Sequence, residues 1–195
     1  MRPSPWEDAA TFLSTPSIVT AIFWLLMIGS LAAAIIAWRT DPAQRTAPHI
    51  GRWLLRFLIG CMWWQQSLWK IPPNYDGLIH WMTEMVDHAS IPLQRQLVKD
   101  VVIPNIGLFG PLVYGVEVLI GASLILGLFT RVGAIIGLGM ALNLWLGLYS
   151  APGEWPWTYG FLVIVQCYYV LDAPGRSLGI DAGLRSRGQL SEILG

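Results

Sequence analysis

Gly107-Leu-Phe-Gly-Pro-Leu-Val-Tyr-Gly-Val-Glu117-Val-Leu-Ile-Gly-Ala-Ser-Leu-Ile-Leu-Gly-Leu-Phe129 is an apolar run broken by a single charge. At 1.5 Å of rise per residue, roughly 20 apolar residues cross the hydrocarbon core of a bilayer, so this run is long enough to span one as a helix. Downstream, Thr130-Arg131 turns the chain into a second run, Val132 to Tyr149, which Ala151-Pro152-Gly153 breaks. A third run, Pro156 to Leu171, ends at Asp172 and Pro174-Gly175. Upstream, Trp53 to Trp69 is closed by Lys70 and Ile71-Pro72-Pro73-Asn74, because proline has no N–H with which to continue a helix. Ser17 to Trp38 is too long for a signal-peptide core, and its arginines, Arg39, Arg45, Arg52 and Arg56, follow rather than precede it.

The expectation is therefore an all-α integral membrane protein. Its single membrane domain, residues 1–195, has five transmembrane helices at 17–38, 53–69, 107–129, 132–149 and 156–171. Composition agrees: 54% of the 195 residues are hydrophobic and 12% charged, where a soluble domain carries about 25% charged residues. Mean hydropathy is +0.53. A net charge of zero offers no basic surface for nucleic acid.

Cations near span ends are retained on the cytoplasmic side. With five spans, Arg39, Arg45, Arg52, Arg56, Arg131, Arg176, Arg185 and Arg187 fall on one side, against Arg2, Lys70, Arg95 and Lys99 on the other. This predicts a multi-pass protein of the cytoplasmic (inner) membrane, N-terminus outside and C-terminus in the cytoplasm. Trp38 and Trp53 then lie at the inner interface, and Trp69, Trp155 and Trp157 at the outer one.

The sizeable non-spanning segment is the loop 71–104. Leu78, Ile79, Trp81, Met82, Met85 and Val86 recur there at helical spacing, predicting a short interfacial helix whose apolar face lies on the bilayer or on the bundle. Ser90, ahead of Ile91-Pro92, is placed to cap a second one. In the fourth span, Gly133, Gly137 and Gly139 are spaced for close helix approach.

Chemistry in such a chain is sought among polar groups inside the bilayer. A carboxylate at mid-span costs about 2.5–3.5 kcal/mol on insertion scales, so Glu117 has to face protein or water, or be protonated. Gln166 lies at comparable depth; Gln65, Gln66 and Asn143 lie in the outer halves of their spans. If they face one another, they line a polar path from the outer surface to the midplane; the alternative is hydrogen bonding between helices. His80, Glu84, Asp87 and His88 share one face of the loop helix, which amphipathicity alone explains, and no metal site is assigned. Cys61 and Cys167 fall in the inner halves of two spans, as apolar filler or as a redox thiol pair. The histidines, His49, His80 and His88, lie outside the spans, leaving no axial pair for a haem in the bilayer, and no dinucleotide or phosphate-binding glycine fingerprint indicates flavin or nucleotide.

Gly51-Arg-Trp-Leu-Leu-Arg-Phe-Leu-Ile-Gly, with Lys70 closing the same span, offers Arg52 or Arg56, then Gly60 and Lys70. Glu117 precedes Leu126-Gly-Leu-Phe-Thr-Arg-Val-Gly-Ala134, and the last span opens Glu154-Trp-Pro-Trp-Thr-Tyr159 and closes Asp172-Ala-Pro-Gly-Arg-Ser-Leu-Gly-Ile-Asp181. In this order the motifs resemble the DoxX/DoxD family of small membrane proteins, over about three quarters of the chain. The resemblance implies a four-helix bundle, to which Ser17–Trp38 adds one N-terminal helix and 71–104 a long loop. It also implies membrane sulfur or thiol redox chemistry, since DoxD is a subunit of thiosulfate:quinone oxidoreductase.

The leading expectation is a membrane subunit of a quinone-linked oxidoreductase. Glu117 and Lys70 are its candidate catalytic residues, Lys70 drawing an anionic donor at the outer face, with Gln65, Gln66, Asn143 and Gln166 around a quinone. The alternative is a non-catalytic accessory subunit of a respiratory or photosynthetic complex, to which the 11 tryptophans and small-residue faces are suited. Expected partners are the bilayer and other membrane subunits or further copies of the chain. A small solute carrier is less favoured, for want of an inverted repeat or paired broken helices.

Overall fold

In the computed structural model, residues 4–186 and Gly188 are described, and among them the secondary structure is helical throughout, with no strand. α1 (Pro5–Ser14) opens with a capping box, the Ser4 side chain on the Glu7 N–H and the Glu7 carboxylate on the Ser4 N–H. The sequence reading had no element there, although Ser-Pro-x-Glu is its signature.

α2 (Ile18–Thr40), α3 (Ala47–Ser67), α6 (Ile106–Leu126), α7 (Thr130–Leu148) and α8 (Pro156–Asp172) are helices at the five expected positions, with ends shifted by up to six residues. Ile18–Thr40, Pro92–Leu126 and Thr130–Leu148 are long and apolar enough to cross a membrane. α3 carries Arg52, Arg56, Gln65 and Gln66, and α8 has 17 residues. α3 packs along α6, α6 on α7 and α7 on α8, while α2 lies against α6 from outside.

Two glycines set the closest crossing. A Cβ on Gly60 would stand 2.8 Å from the Ile125 backbone nitrogen, and one on Gly121 3.1 Å from that of Trp64. Only hydrogen fits at that crossing, which lets α3 and α6 meet backbone to backbone. The glycines of α7 do different work: Gly133 accommodates Ser123, Gly137 the Gln166 amide, and Gly139 borders open space.

The first part of the loop 71–104 forms the expected helix, α4 (Asp76–His88), which buries Leu78, Met82 and Met85 inward, so that of the two expected placements its apolar face takes the one on the bundle. α5 (Pro92–Leu97) has Ile91 at its N-cap without a side-chain hydrogen bond; Ser90 instead donates its N–H to the Leu146 carbonyl. α5 also does not end as a separate helix. A widened π turn at Val98–Val102 and a tight 3-10 turn at Ile103–Asn105 carry the chain past Pro104 into α6, making one helical run, Pro92–Leu126. The change of pitch absorbs the hydrogen bond that proline cannot make.

At the opposite end, α9 (Ile180–Ser186) and the preceding turn bring Asp181 back under the bundle. Asp181 accepts from the Phe129 N–H at 2.7 Å, the Thr130 N–H at 3.0 Å and the Thr130 hydroxyl at 2.9 Å, satisfying the open N-terminus of α7 from 51 residues away. Burial pushes its carboxyl above the ordinary aspartate range, and these donors pull against that. Arg56, 0% exposed, donates from Nη1 to the Leu124 carbonyl and, at 3.1 Å, to that of Ile125, closing the C-terminus of α6. Gly127 turns beside it with φ +69°, a left-handed conformation glycine adopts freely.

Candidate functional site

Lys70 ends the tight turn that follows α3, and Glu117 sits midway along α6. Because the two helices are pinned together at Gly60 and Gly121, their next turns bring the side chains into contact. Lys70 Nζ donates to both carboxylate oxygens of Glu117, at 2.5 Å from Oε2. The ammonium also lies 4.4 Å from the centre of the Trp69 ring. Lys70 is 3% and Glu117 1% exposed. Two opposite charges buried so deeply are tenable as a pair, since each cancels most of the other's desolvation cost. The expected surface cation is therefore absent: Lys70 points into the protein, its charge already matched.

The pair lies in the wall of a cavity of about 860 Å³, within the usual range of small-molecule sites. Trp63 and Gln66 of α3, Phe109 and Val113 of α6, Met140 and Leu144 of α7 and Leu162 of α8 contribute to the walls. Leu78, Trp81, Met82 and Met85 cover it from α4. The cover is fastened at several points. Gln94 donates at 2.9 Å to both the backbone and side-chain oxygens of Asn143, Ser150 donates to the His88 carbonyl at 3.1 Å, and Met85 packs on Gly147. Tyr159 donates to Glu154 at 2.9 Å, both at the cavity wall.

Of the residues singled out from sequence, Glu117, Lys70, Gln66 and Asn143 line this one cavity. Gln65 does not: it is exposed on the neighbouring face of α3. Gln166 does not either; it is fully buried against Gly137, and neither amide atom has a partner. The thiols are not brought together, Cys61 packing beside Phe23, Trp64 and Ile125 while Cys167 is exposed on α8. On the polar face of α4 His88 lies 3.5 Å from Glu84, and among the described residues no three His, Cys, Asp or Glu side chains converge on a metal position.

Sequence reasoning missed Trp63. It is 2% exposed and borders the cavity, and its indole N–H has no acceptor within the protein. Buried donors are seldom left so, and an orphan beside a cavity marks a place for a ligand acceptor or water. One tryptophan among 11 carries no mark in sequence that separates it from its neighbours.

A family model described as DoxX matches residues 51–150, from the start of α3 to the end of α7. That interval includes Arg56, Gly60, Lys70, Glu117 and Asn143, and therefore both the closest helix crossing and the buried pair. No curated protein and no solved structure matches the chain.

Proposed function

Because the chain belongs to the DoxX family, we propose that it is the membrane subunit of a quinone-linked oxidoreductase, and that the cavity beside Lys70 and Glu117 holds the quinone ring. The observation that carries this reading is a buried ion pair in the wall of a mainly apolar cavity that three tryptophans, Trp63, Trp69 and Trp81, help to line. A quinone has the complementary chemistry, a flat apolar ring with a carbonyl acceptor at each end. The unpartnered Trp63 N–H suits one carbonyl, and the Lys70 ammonium, between Glu117 and the Trp69 ring, suits the other. A quinone bound there supplies the capacity to accept electrons and protons in equal number. Glu117 is placed to hold a proton at its carboxylate, and Met82, Met85, Val113 and Leu144 exclude bulk water.

Thiosulfate or a thiol is the proposed donor, on the family resemblance. Glu117 cancels the Lys70 charge, so the cavity has little to offer a dianion. Donor oxidation is therefore assigned to a partner subunit on the outer side. The same reading has five spans, with α3 and α8 crossing alongside the three more apolar helices, the N-terminus outside and the C-terminus in the cytoplasm.

Donor-dependent quinone reduction in membranes carrying Glu117→Gln is the test. Loss of at least about tenfold in rate is expected, and an unchanged rate would remove Glu117 from the chemistry. A second reading, a non-catalytic subunit of a larger respiratory or photosynthetic complex, draws on α2. This helix lies outside the matched interval and exposes Ile22, Leu25, Ile28, Leu31 and Ile35. It predicts stoichiometric recovery in a large particle whose turnover survives removal of this chain.

A further inference from the structure

The cavity is not closed on all sides, and its open edge says how a ligand reaches it. Backbone packing runs from α3 to α6, α6 to α7 and α7 to α8, but α8 does not return to pack closely along α3. Near Arg56 that gap is shut. The Pro174–Arg176 turn packs under α3, and Trp63 and Tyr169 share a buried cluster with Ile59 and Val165 at its edge. Nearer Lys70 it is not shut. Met62 on α3 lines the cavity yet is 56% exposed, and Thr158 on α8 lines it and is exposed as well. Around these lips the outward surface is mainly apolar, with Leu58 on α3 and Trp157 and Phe161 on α8 all exposed, and the amides of Gln65 and Gln66 are its polar groups on the α3 side. An opening rimmed by such side chains faces hydrocarbon more readily than water.

We propose that the gap between α3 and α8, with Met62 and Thr158 as its lips, is a lateral portal through which an amphiphile dissolved in the bilayer enters. Its polar head lies against Trp63 and the Lys70–Glu117 pair, and its apolar tail remains between the two helices. This rests on the cavity being the binding site and adds to it the class of ligand and its route. On the α4 side a head delivered from water would have to pass Leu78, Met82 and Met85, which are packed down onto the bundle. A head delivered from lipid crosses only the lips. Leu93 on α5, exposed and outside the cavity lining, provides a control.

The test uses the purified full chain in phosphatidylcholine nanodiscs. Binding of a ten-isoprene ubiquinone and of tail-less 2,3-dimethoxy-5-methyl-benzoquinone is read from quenching of tryptophan fluorescence. The paired change Met62→Phe and Thr158→Phe should weaken binding of the long-tailed quinone by at least about tenfold while leaving the tail-less one within about twofold, because only the tail occupies the gap. Retained binding of the tail-less quinone also reports that the variant is folded. Leu93→Phe should change neither. Equal weakening of both quinones, no weakening of either, or a tail-selective loss in Leu93→Phe would overturn the portal while leaving the site. A wild-type chain that binds the tail-less quinone but not the long-tailed one would overturn it too. Binding of neither by the wild type would instead remove the site itself, and the portal with it.

Discussion

Lys70 and Glu117 are 47 residues apart, and each has its charge answered chiefly by the other. Removing one partner leaves a buried charge unmatched, which typically costs 3–5 kcal/mol, whereas replacing both with apolar groups of similar size is often neutral. Lys70→Met and Glu117→Met singly should therefore each lower the thermal midpoint in detergent, and the double variant should recover most of that loss. If the double variant were as unstable as the singles, the pair would not be the reason these charges are tolerated. Gly60 gives a second prediction at this scale. Gly60→Val would drive side-chain atoms into the Ile125 backbone and should destabilise by about 1–3 kcal/mol, seen as a lower unfolding midpoint. Glu117 was legible in the sequence because a carboxylate in an apolar run is costly. Its partner was not, since a lysine at the end of a span reads as an interfacial charge until the turn after α3 is seen to fold it inward. Arg56 misled in the same way: counted among cytoplasmic cations, it is a fully buried hydrogen-bond donor to the end of α6.

Helices of this chain depend on distant residues at their ends. α7 has Phe129, in a left-handed conformation, where a capping residue belongs, and its first N–H groups are satisfied by Asp181. Asp181→Ala removes all three bonds and should cost about 2 kcal/mol, above the usual loss for a local cap, with amide exchange at Thr130 rising more than at Ala141. Uniform exchange along α7 would argue against a specific cap. This arrangement gives physical content to the terminal motif. Asp172 to Asp181 was recognised as a pattern, yet nothing in its spacing announced that its last residue would cap a helix 51 positions earlier. The α4 cover was half legible. Its apolar periodicity predicted a helix, but whether that face met lipid or protein depended on the cavity beneath, which local sequence does not encode. The loop was expected to run to residue 104, where a π turn beside a 3-10 turn instead carries a continuous helical run.

Across the whole molecule, the two ends of the bundle have separate duties. The end holding Arg56, Thr130 and Asp181 is locked by buried hydrogen bonds, while the end holding Lys70 and Glu117 is splayed around a cavity under a helical cover. The number and order of the long helices were readable from hydrophobic run lengths; the opening between α3 and α8 was not, because it arises from how four helices diverge. With the N-terminus outside, a cysteine introduced at Asp87 on the exposed face of α4 should react with a membrane-impermeant maleimide in intact cells, and one at Ser186 only after lysis. The reverse pattern would invert the proposed orientation. The most direct test of the central claim is photo-crosslinking of the purified chain with an azido-quinone, followed by peptide mapping. The account predicts label on cavity-lining segments, Met62–Lys70, Phe109–Glu117 and Thr158–Leu162, that excess unmodified quinone displaces. Label confined to the lipid-exposed face of α2, or not displaced, would contradict it.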